Sequence, residues 1–257
     1  MVPCLCCPKL FYLKVYDKKI LFPLSLLLCL PSAGTTPFQC RCEEQSPVER
    51  YRSGRWLVLT ADVNCTLLDG LVNFGLWGGT NTTGTYKEFN NHLSFRYRGL
   101  SLSFWDIYNF SPGATYNNRQ FFNYRARETG RFLDAIVDYR FDEKFPLLLS
   151  WSTVIFGRDR NAQNTENKYS TFCYAEYPIY QKESWQVDMG IGGAFALNRS
   201  GDSSHFYGNK AGIVHVMLKV THRINIGKWE MPLYACAMWN PQGDRAFLQI
   251  GAQVFSF

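Results

Sequence analysis

The stretch "EFNNHLSFRYRGLSLSFWDIYN", Glu88 to Asn109, decides how the rest of the chain is read. Phe89, Leu93, Phe95 and Tyr97 fall on one phase of a two-residue period, and Glu88, His92, Ser94, Arg96 and Arg98 fall on the other. After the Arg98-Gly99 pair, Leu100, Leu102 and Phe104 alternate with Ser101 and Ser103. Successive side chains of a strand point to opposite faces, so this period predicts a hairpin with one apolar and one polar face.

The same alternation recurs along the chain. Leu133, Ala135, Val137, Tyr139 and Phe141 alternate with Asp134, Asp138 and Arg140. Val187, Met189, Ile191, Phe195 and Leu197 alternate with Gln186, Asp188, glycines and Ala194. Val214, Val216, Leu218 and Val220 alternate with His215, Lys219, Thr221 and Arg223. Eleven strands are predicted, at 55–65, 70–78, 88–98, 100–109, 131–141, 147–157, 168–177, 185–197, 211–223, 231–240 and 245–257. Most are about ten residues long, the length of a tilted bilayer-spanning strand, whereas strands of soluble proteins average about five or six.

The connectors alternate too. "LLDG", "RG", "DEKFP", "PIYQKES" and "INIGKWE" are short. "GGTNTTGTYK", "SPGATYNNRQFFNYRARETG", "RDRNAQNTENK" and "RSGDSSHFYGNK" are long and polar. Short turns at one end and long loops at the other predict an all-β, closed, antiparallel up-and-down transmembrane barrel, because a sheet in lipid has to pair its edges. Single-chain barrels of this kind usually have an even strand count. The segment 55–65 therefore needs a partner before it, and only "TPFQCRCEEQSPVER", 36–50, is available. This predicts about 12 strands with a poor first one, or ten if two of the assignments fail. Trp56, Trp77, Tyr97, Tyr139, Trp185, Trp229 and Trp239 lie near strand ends, where interfacial girdles would put them.

The start of the chain has the pattern of an export segment. Lys14, Lys18 and Lys19 precede the apolar run "ILFPLSLLLCL", 20–30, and then "PSAGTT". The run is too short to span a bilayer as a helix. The domain plan is thus a cleavable segment at 1–34, a weakly structured stretch or poor strand at 35–54, and a barrel at 55–257, in the outer membrane of a Gram-negative bacterium. The 46% hydrophobic composition excludes a disordered chain. The net charge of +6 comes without a dense basic run, so no nucleic-acid surface is expected. Cys40, Cys42, Cys65, Cys173 and Cys236 form an odd, scattered set, neither a disulfide framework nor a zinc site. No cofactor and no metal are expected.

The chain resembles the outer-membrane β-barrel proteins of Bacteroidetes-type bacteria that are related to porin-like channels. The resemblance rests on "FGLWGG" (74–79), "YKEFNNHLSF" (86–95), "RGLSLSFWDIY" (98–108), "LLLSWST" (147–153), "NKYSTFCYAEYP" (167–178) and "MPLYACAMWNP" (231–241). It implies insertion by the barrel assembly machinery, with Phe255 and Phe257 as the terminal assembly signal, and it carries no reaction or substrate. The apolar stripe of the last strand is Ala246, Leu248, Ile250, Ala252 and Val254, one phase away from Phe255 and Phe257. A bulge near Val254-Phe255 would reset that phase.

The polar phase supplies the candidate lumen lining: Glu88, His92, Arg96, Arg98, Asp134, Asp138, Arg140, Glu176, Asp188, His215, Lys219 and Arg223. Both signs are present, so these side chains either neutralise one another or select passing small solutes. The leading expectation is a porin-like passive channel or a structural barrel, not an enzyme, with outer-membrane lipid as its surroundings. Two alternatives differ in class. An outer-membrane lipid hydrolase needs a Ser beside a His on the lipid face, for which His222 is the nearest candidate. A protease site from Asp202 and His205 has two residues of one loop and nothing else. A secreted soluble β-sandwich that binds glycans is the third reading.

Overall fold

The computed structural model describes residues 58–198, 201, 203–227 and 229–253. Their regular elements are eleven strands: β1 (Val58–Leu67), β2 (Val72–Asn81), β3 (Lys87–Tyr97), β4 (Leu100–Asn109), β5 (Arg131–Arg140), β6 (Leu148–Gly157), β7 (Ser170–Lys182), β8 (Trp185–Ala196), β9 (Gly212–Ile226), β10 (Trp229–Asn240) and β11 (Arg245–Ala252). They form one sheet in the order β1 to β11. Each strand runs antiparallel to its sequence neighbours. No α-helix occurs among the described residues. The edges β1 and β11 are not paired with each other, and no Cα of one comes within 8 Å of a Cα of the other.

Burial is inverted relative to a water-soluble domain. Among the described residues, the buried set holds 18 polar or charged residues and nine hydrophobic ones. Ser94 and Ser103 are buried and joined by a 2.9 Å hydrogen bond, while Phe95, Leu102 and Phe104 beside them are exposed. The same split holds in β8, where Asp188, Gly190, Gly192 and Ala194 are buried and Met189 and Ile191 exposed. On β11, Leu248 and Ile250 are 70% and 71% exposed. A monomer in water rarely leaves so large a contiguous apolar face uncovered. Among the described residues no second sheet or helix covers the polar face, so the single sheet shelters it by curling.

Strand order and phase follow the sequence closely; the ends and three registers do not. β7 runs to Lys182, through part of the connector predicted at 178–184. Pro178 has no N–H to give, and the register shift between Pro178 and Tyr180 absorbs it, so pairing resumes beyond. β9 and β10 likewise extend through most of "INIGKWE". A second shift, between Leu133 and Asp134 opposite β6, leaves Ile155 as an extra, exposed residue beyond the inward-facing Val154. The third shift, between Gly192 and Gly193, makes Val214 an extra residue. Val214 is therefore buried and Ile213 exposed, the reverse of the outward phase expected for Val214. Trp77 is also misplaced by the girdle argument. It pairs with Asp62 and Asn90 in mid-strand, and its ring lies over Gly79. Tyr97, Tyr139, Trp185 and Trp239 do sit exposed near strand ends. The export segment, the strand at 36–50, Trp56, Cys40, Cys42, Asp202, Phe255 and Phe257 lie outside the described residues.

Candidate functional site

The strand order puts the turns 68–71, 98–99, 141–147 and 183–184 and the β9–β10 connection at one end of the sheet. The loops 82–86, 110–130, 158–169 and 197–211 and the turn 241–244 stand at the other. The buried face between them carries the predicted polar residues, and most of these have partners. His92 Nε2 lies 3.0 Å from Asp62 Oδ1, and its ring stacks on Trp105 at 4.5 Å. Gly75 makes room for that ring, since a Cβ there would strike His92 Nε2. Glu88 accepts from Asn90 Nδ2 at 2.8 Å and from Asn109 Nδ2 at 3.2 Å. Asp134 accepts from Ser152 Oγ at 2.8 and 3.0 Å. Glu176 accepts from Tyr174 Oη at 2.9 Å. Asp188 pairs with Lys219 Nζ at 3.3 Å and accepts from Gln186 Nε2 at 2.7 Å. Arg223 reaches Gln186 Oε1 at 3.2 Å and Glu230 at 3.8 Å. His215 lies against the rings of Phe172 and Tyr174.

The long-loop end is closed over this face. Phe206 packs on Phe132 with ring centroids 5.0 Å apart, and Tyr207 on Phe172 at 5.1 Å. The turn holding them is pinned from several sides. Phe206 N donates to Ser170 Oγ at 3.0 Å, and Lys168 Nζ meets Ser204 Oγ at 2.7 Å. His205 Nε2 donates to the Lys210 carbonyl at 2.9 Å, and its Nδ1 accepts from Tyr207 N at 3.2 Å. Both ring nitrogens are thus in use, which makes the imidazole a brace for the turn. Asp159 is 2% exposed and accepts from Ser170 N at 2.7 Å and Ser170 Oγ at 2.8 Å. Burial raises its carboxyl above the ordinary range, against the lowering effect of the Ser170 bonds, Lys168 and His205. Burial likewise pushes the Tyr207 phenol up, reinforced by Asp134 and opposed by a hydrogen bond to Ser152.

Two arginines tie the loops together. The Arg158 guanidinium lies 3.6 Å from the Tyr116 ring centroid, with Phe132 at 5.1 Å and Phe206 at 5.6 Å. Arg131 is fully buried beneath loop 110–130, on the apolar phase of β5. Its Nη1 donates to Asp106 Oδ2 at 2.7 Å and its Nε to the Phe121 carbonyl at 2.7 Å. The rings of Phe121, Tyr108 and Tyr124 surround it at 4.2, 4.8 and 5.0 Å. The Tyr124 hydroxyl donates to the same Asp106 oxygen at 2.7 Å, and burial raises the Tyr124 phenol.

The short-turn end is open. A recess of about 650 Å³ there is lined by Arg96, Arg98, Ser101, Asp138, Arg140 and Asp142. The lumen list therefore divides. Eight of its members lie along the buried face or beside it, and Arg96, Arg98, Asp138 and Arg140 gather at one mouth. Sequence reasoning did not single out Asp62, Asp106, Arg131, Arg158, Asp159 or Tyr207. Asp62 carried a readable signal, since it alternates with Ala61 and Val63. Arg131 and Asp106 carried a subtler one: charges on an outward phase require a cover.

Of the residues weighed for catalysis, His205 braces its own turn and Asp202 lies outside the described residues. His222 is on the apolar face, stacked on Trp185 at 4.1 Å, and its Nδ1 has no hydrogen-bond partner. Among the described residues no three His, Cys, Asp or Glu side chains gather closely enough to hold a metal. Cys65 and Cys173 are free thiols. Compared with known protein families, with curated proteins and with solved structures, the chain finds no match.

Proposed function

We propose that the chain is a small outer-membrane β-barrel of the porin-like kind, a narrow passive channel or structural barrel with a charged lumen. The observation that carries this reading is the inversion of burial along eleven consecutive antiparallel strands. A lipid-facing sheet places apolar side chains outside and polar ones inside at a period of two. Exposed Tyr97, Tyr139 and Trp185 near the short turns, and Trp239 near the opposite rim, suit the two interfaces.

Strand direction sets what closure requires. β1 and β11 both run from the long-loop end to the short-turn end. An antiparallel barrel therefore takes one more strand between them, running the opposite way, for which residues 36–50 are the candidate. The paired charges on the buried face and the Phe206-Tyr207 turn over it favour low conductance.

Refolding the chain into detergent tests the reading in two stages. A barrel is expected to migrate faster on gels before boiling than after, and to partition with detergent. A protein that stays in the aqueous phase would overturn the membrane reading. Recordings in planar bilayers then separate the two forms, since small conductance steps support passage and silence by a heat-modifiable barrel leaves the structural role.

A further inference from the structure

We infer that the recess at the short-turn end is an oxyanion site, formed by Arg96, Arg98 and Arg140, that takes phosphate or a phosphate monoester. Register places the groups. Arg96 pairs with Ser101, Ser101 with Asp138, and Asp138 with Ser150, so these four form one row across β3 to β6 on the buried face. Arg140 ends β5 beside the Arg98-Gly99 turn, its N–H bonded to the Gly99 carbonyl at 2.9 Å. A Cβ at Gly99 would fall on the Arg140 carbonyl oxygen, so glycine is what lets the two chain segments close up. Arg98 itself stands at φ 53°, a conformation rare for a side-chain-bearing residue outside turns.

Charge accounting distinguishes this mouth from the rest of the polar face. Among the described residues, no carboxylate lies within 4.0 Å of the Arg96, Arg98 or Arg140 guanidinium, whereas Lys219 and Arg223 each have one. Asp142 is committed to its own turn, where Oδ1 accepts from Lys144 N and Phe145 N at 3.1 Å. That leaves Asp138 as the one lining carboxylate without a hydrogen-bonded partner, against three guanidinium groups. Arginine presents a planar fork that matches the oxygens of phosphate. Three guanidinium groups against two carboxylates, Asp138 and Asp142, leave the concave mouth net positive, which concentrates its field there. Ser101 adds a hydroxyl in the same row. The recess is lined both by polar-face residues, Ser101 and Asp138, and by the exposed apolar residues Leu100, Tyr139 and Phe141, so its phosphate can come from a free solute or from a lipid headgroup.

The inference rests on the barrel reading only for the direction in which the mouth faces. Equilibrium dialysis of the full chain in a zwitterionic detergent against radiolabelled inorganic phosphate measures binding directly. Mixed micelles containing phosphatidylglycerol then show whether a lipid headgroup displaces the label. Saturable binding is expected, weakened at least about tenfold in the Arg96→Gln, Arg140→Gln double variant, one charge-assisted bond being worth about a factor of ten. Asp138→Asn is expected to strengthen it. Displacement by phosphatidylglycerol assigns the site to headgroups, and its absence assigns it to solutes. Heat-modifiable mobility shows that each variant is folded. No saturable binding by the wild-type chain, or equal binding by the double variant, would overturn the site. Phosphate binding by a barrel that never conducts would instead overturn passage and leave the site standing.

Discussion

At the long-loop end, Arg131 and Arg158 are wrapped in aromatic rings, and Arg131 shares a carboxylate with a tyrosine. At the short-turn end, Arg96, Arg98 and Arg140 line a recess with Asp138 and Asp142, Arg98 lies 5.3 Å from the Tyr97 ring centroid, and none of the three guanidinium groups forms an ion pair among the described residues. One residue type serves two purposes. A guanidinium stacks on rings with its plane and hydrogen-bonds with its edge, so one arginine can bind several loop segments into a cover. Left unpaired, the same group is a site for a mobile anion. The difference predicts that substitutions at the capped end change stability, and that side-chain charge at the open end changes binding with little effect on stability.

The largest effect is expected at Arg131. Arg131→Met leaves Asp106 beneath loop 110–130 without its cation, and breaking such a pair from one side costs about 3 kcal/mol or more. Adding Asp106→Asn is expected to restore most of that loss, because no uncompensated charge then remains. Urea unfolding in detergent, followed by gel mobility, reads both. A loss below about 0.5 kcal/mol for Arg131→Met would mean that loop 110–130 is not held by this arginine.

Gly99→Ala is the next largest, and it belongs to the open end. The added methyl meets the Arg140 carbonyl oxygen, a backbone atom that cannot swing aside. A cost of about 1–3 kcal/mol follows from forced displacement. This marks the boundary of the contrast: the mouth tolerates changes of charge but not of backbone spacing.

The capped end should also carry a pH dependence through Asp159. Burial raises its carboxyl in the folded chain above the ordinary value of 3.8. The folded state then binds the proton more tightly than the unfolded state, so stability falls as pH rises from about 3.8 through the folded value and stays lower above it. Asp159→Asn should flatten that part of the stability profile between pH 3.5 and neutrality. An unchanged slope would assign the titration to another group.

What the sequence disclosed follows the same division. The strands were readable because period two is written in every one of them. Phe95 beside Ser94 states the face of each without knowledge of the partner strand. The three register shifts were not readable. A bulge at Val214 depends on Gly192 and Gly193 in the facing strand, and no local pattern in "GIVHV" announces it. The polar lining was legible as a list but not as an arrangement. Asp134 and Asp138 look equivalent in "FLDAIVDYR", yet one is bonded to Ser152 and the other faces a recess. The cap was hidden most completely. Loop residues such as Tyr116, Phe121 and Phe206 gain meaning only when three loops distant in sequence converge on Arg131, Arg158 and Phe132.

The smallest effect tests the contrast most sharply. Arg98→Gly removes one of the three guanidinium groups and also relieves a backbone held at φ 53°. Relief of a left-handed conformation stabilises by about 1 kcal/mol, and the greater freedom of glycine in the unfolded chain opposes it by about 0.5–1 kcal/mol. The two nearly cancel, so the urea midpoint is expected to stay where it is. Phosphate binding should nonetheless weaken, because the field of the recess loses a charge. If the unfolding free energy drops by more than about 1 kcal/mol, Arg98 holds the turn together, and the open end is built like the capped one.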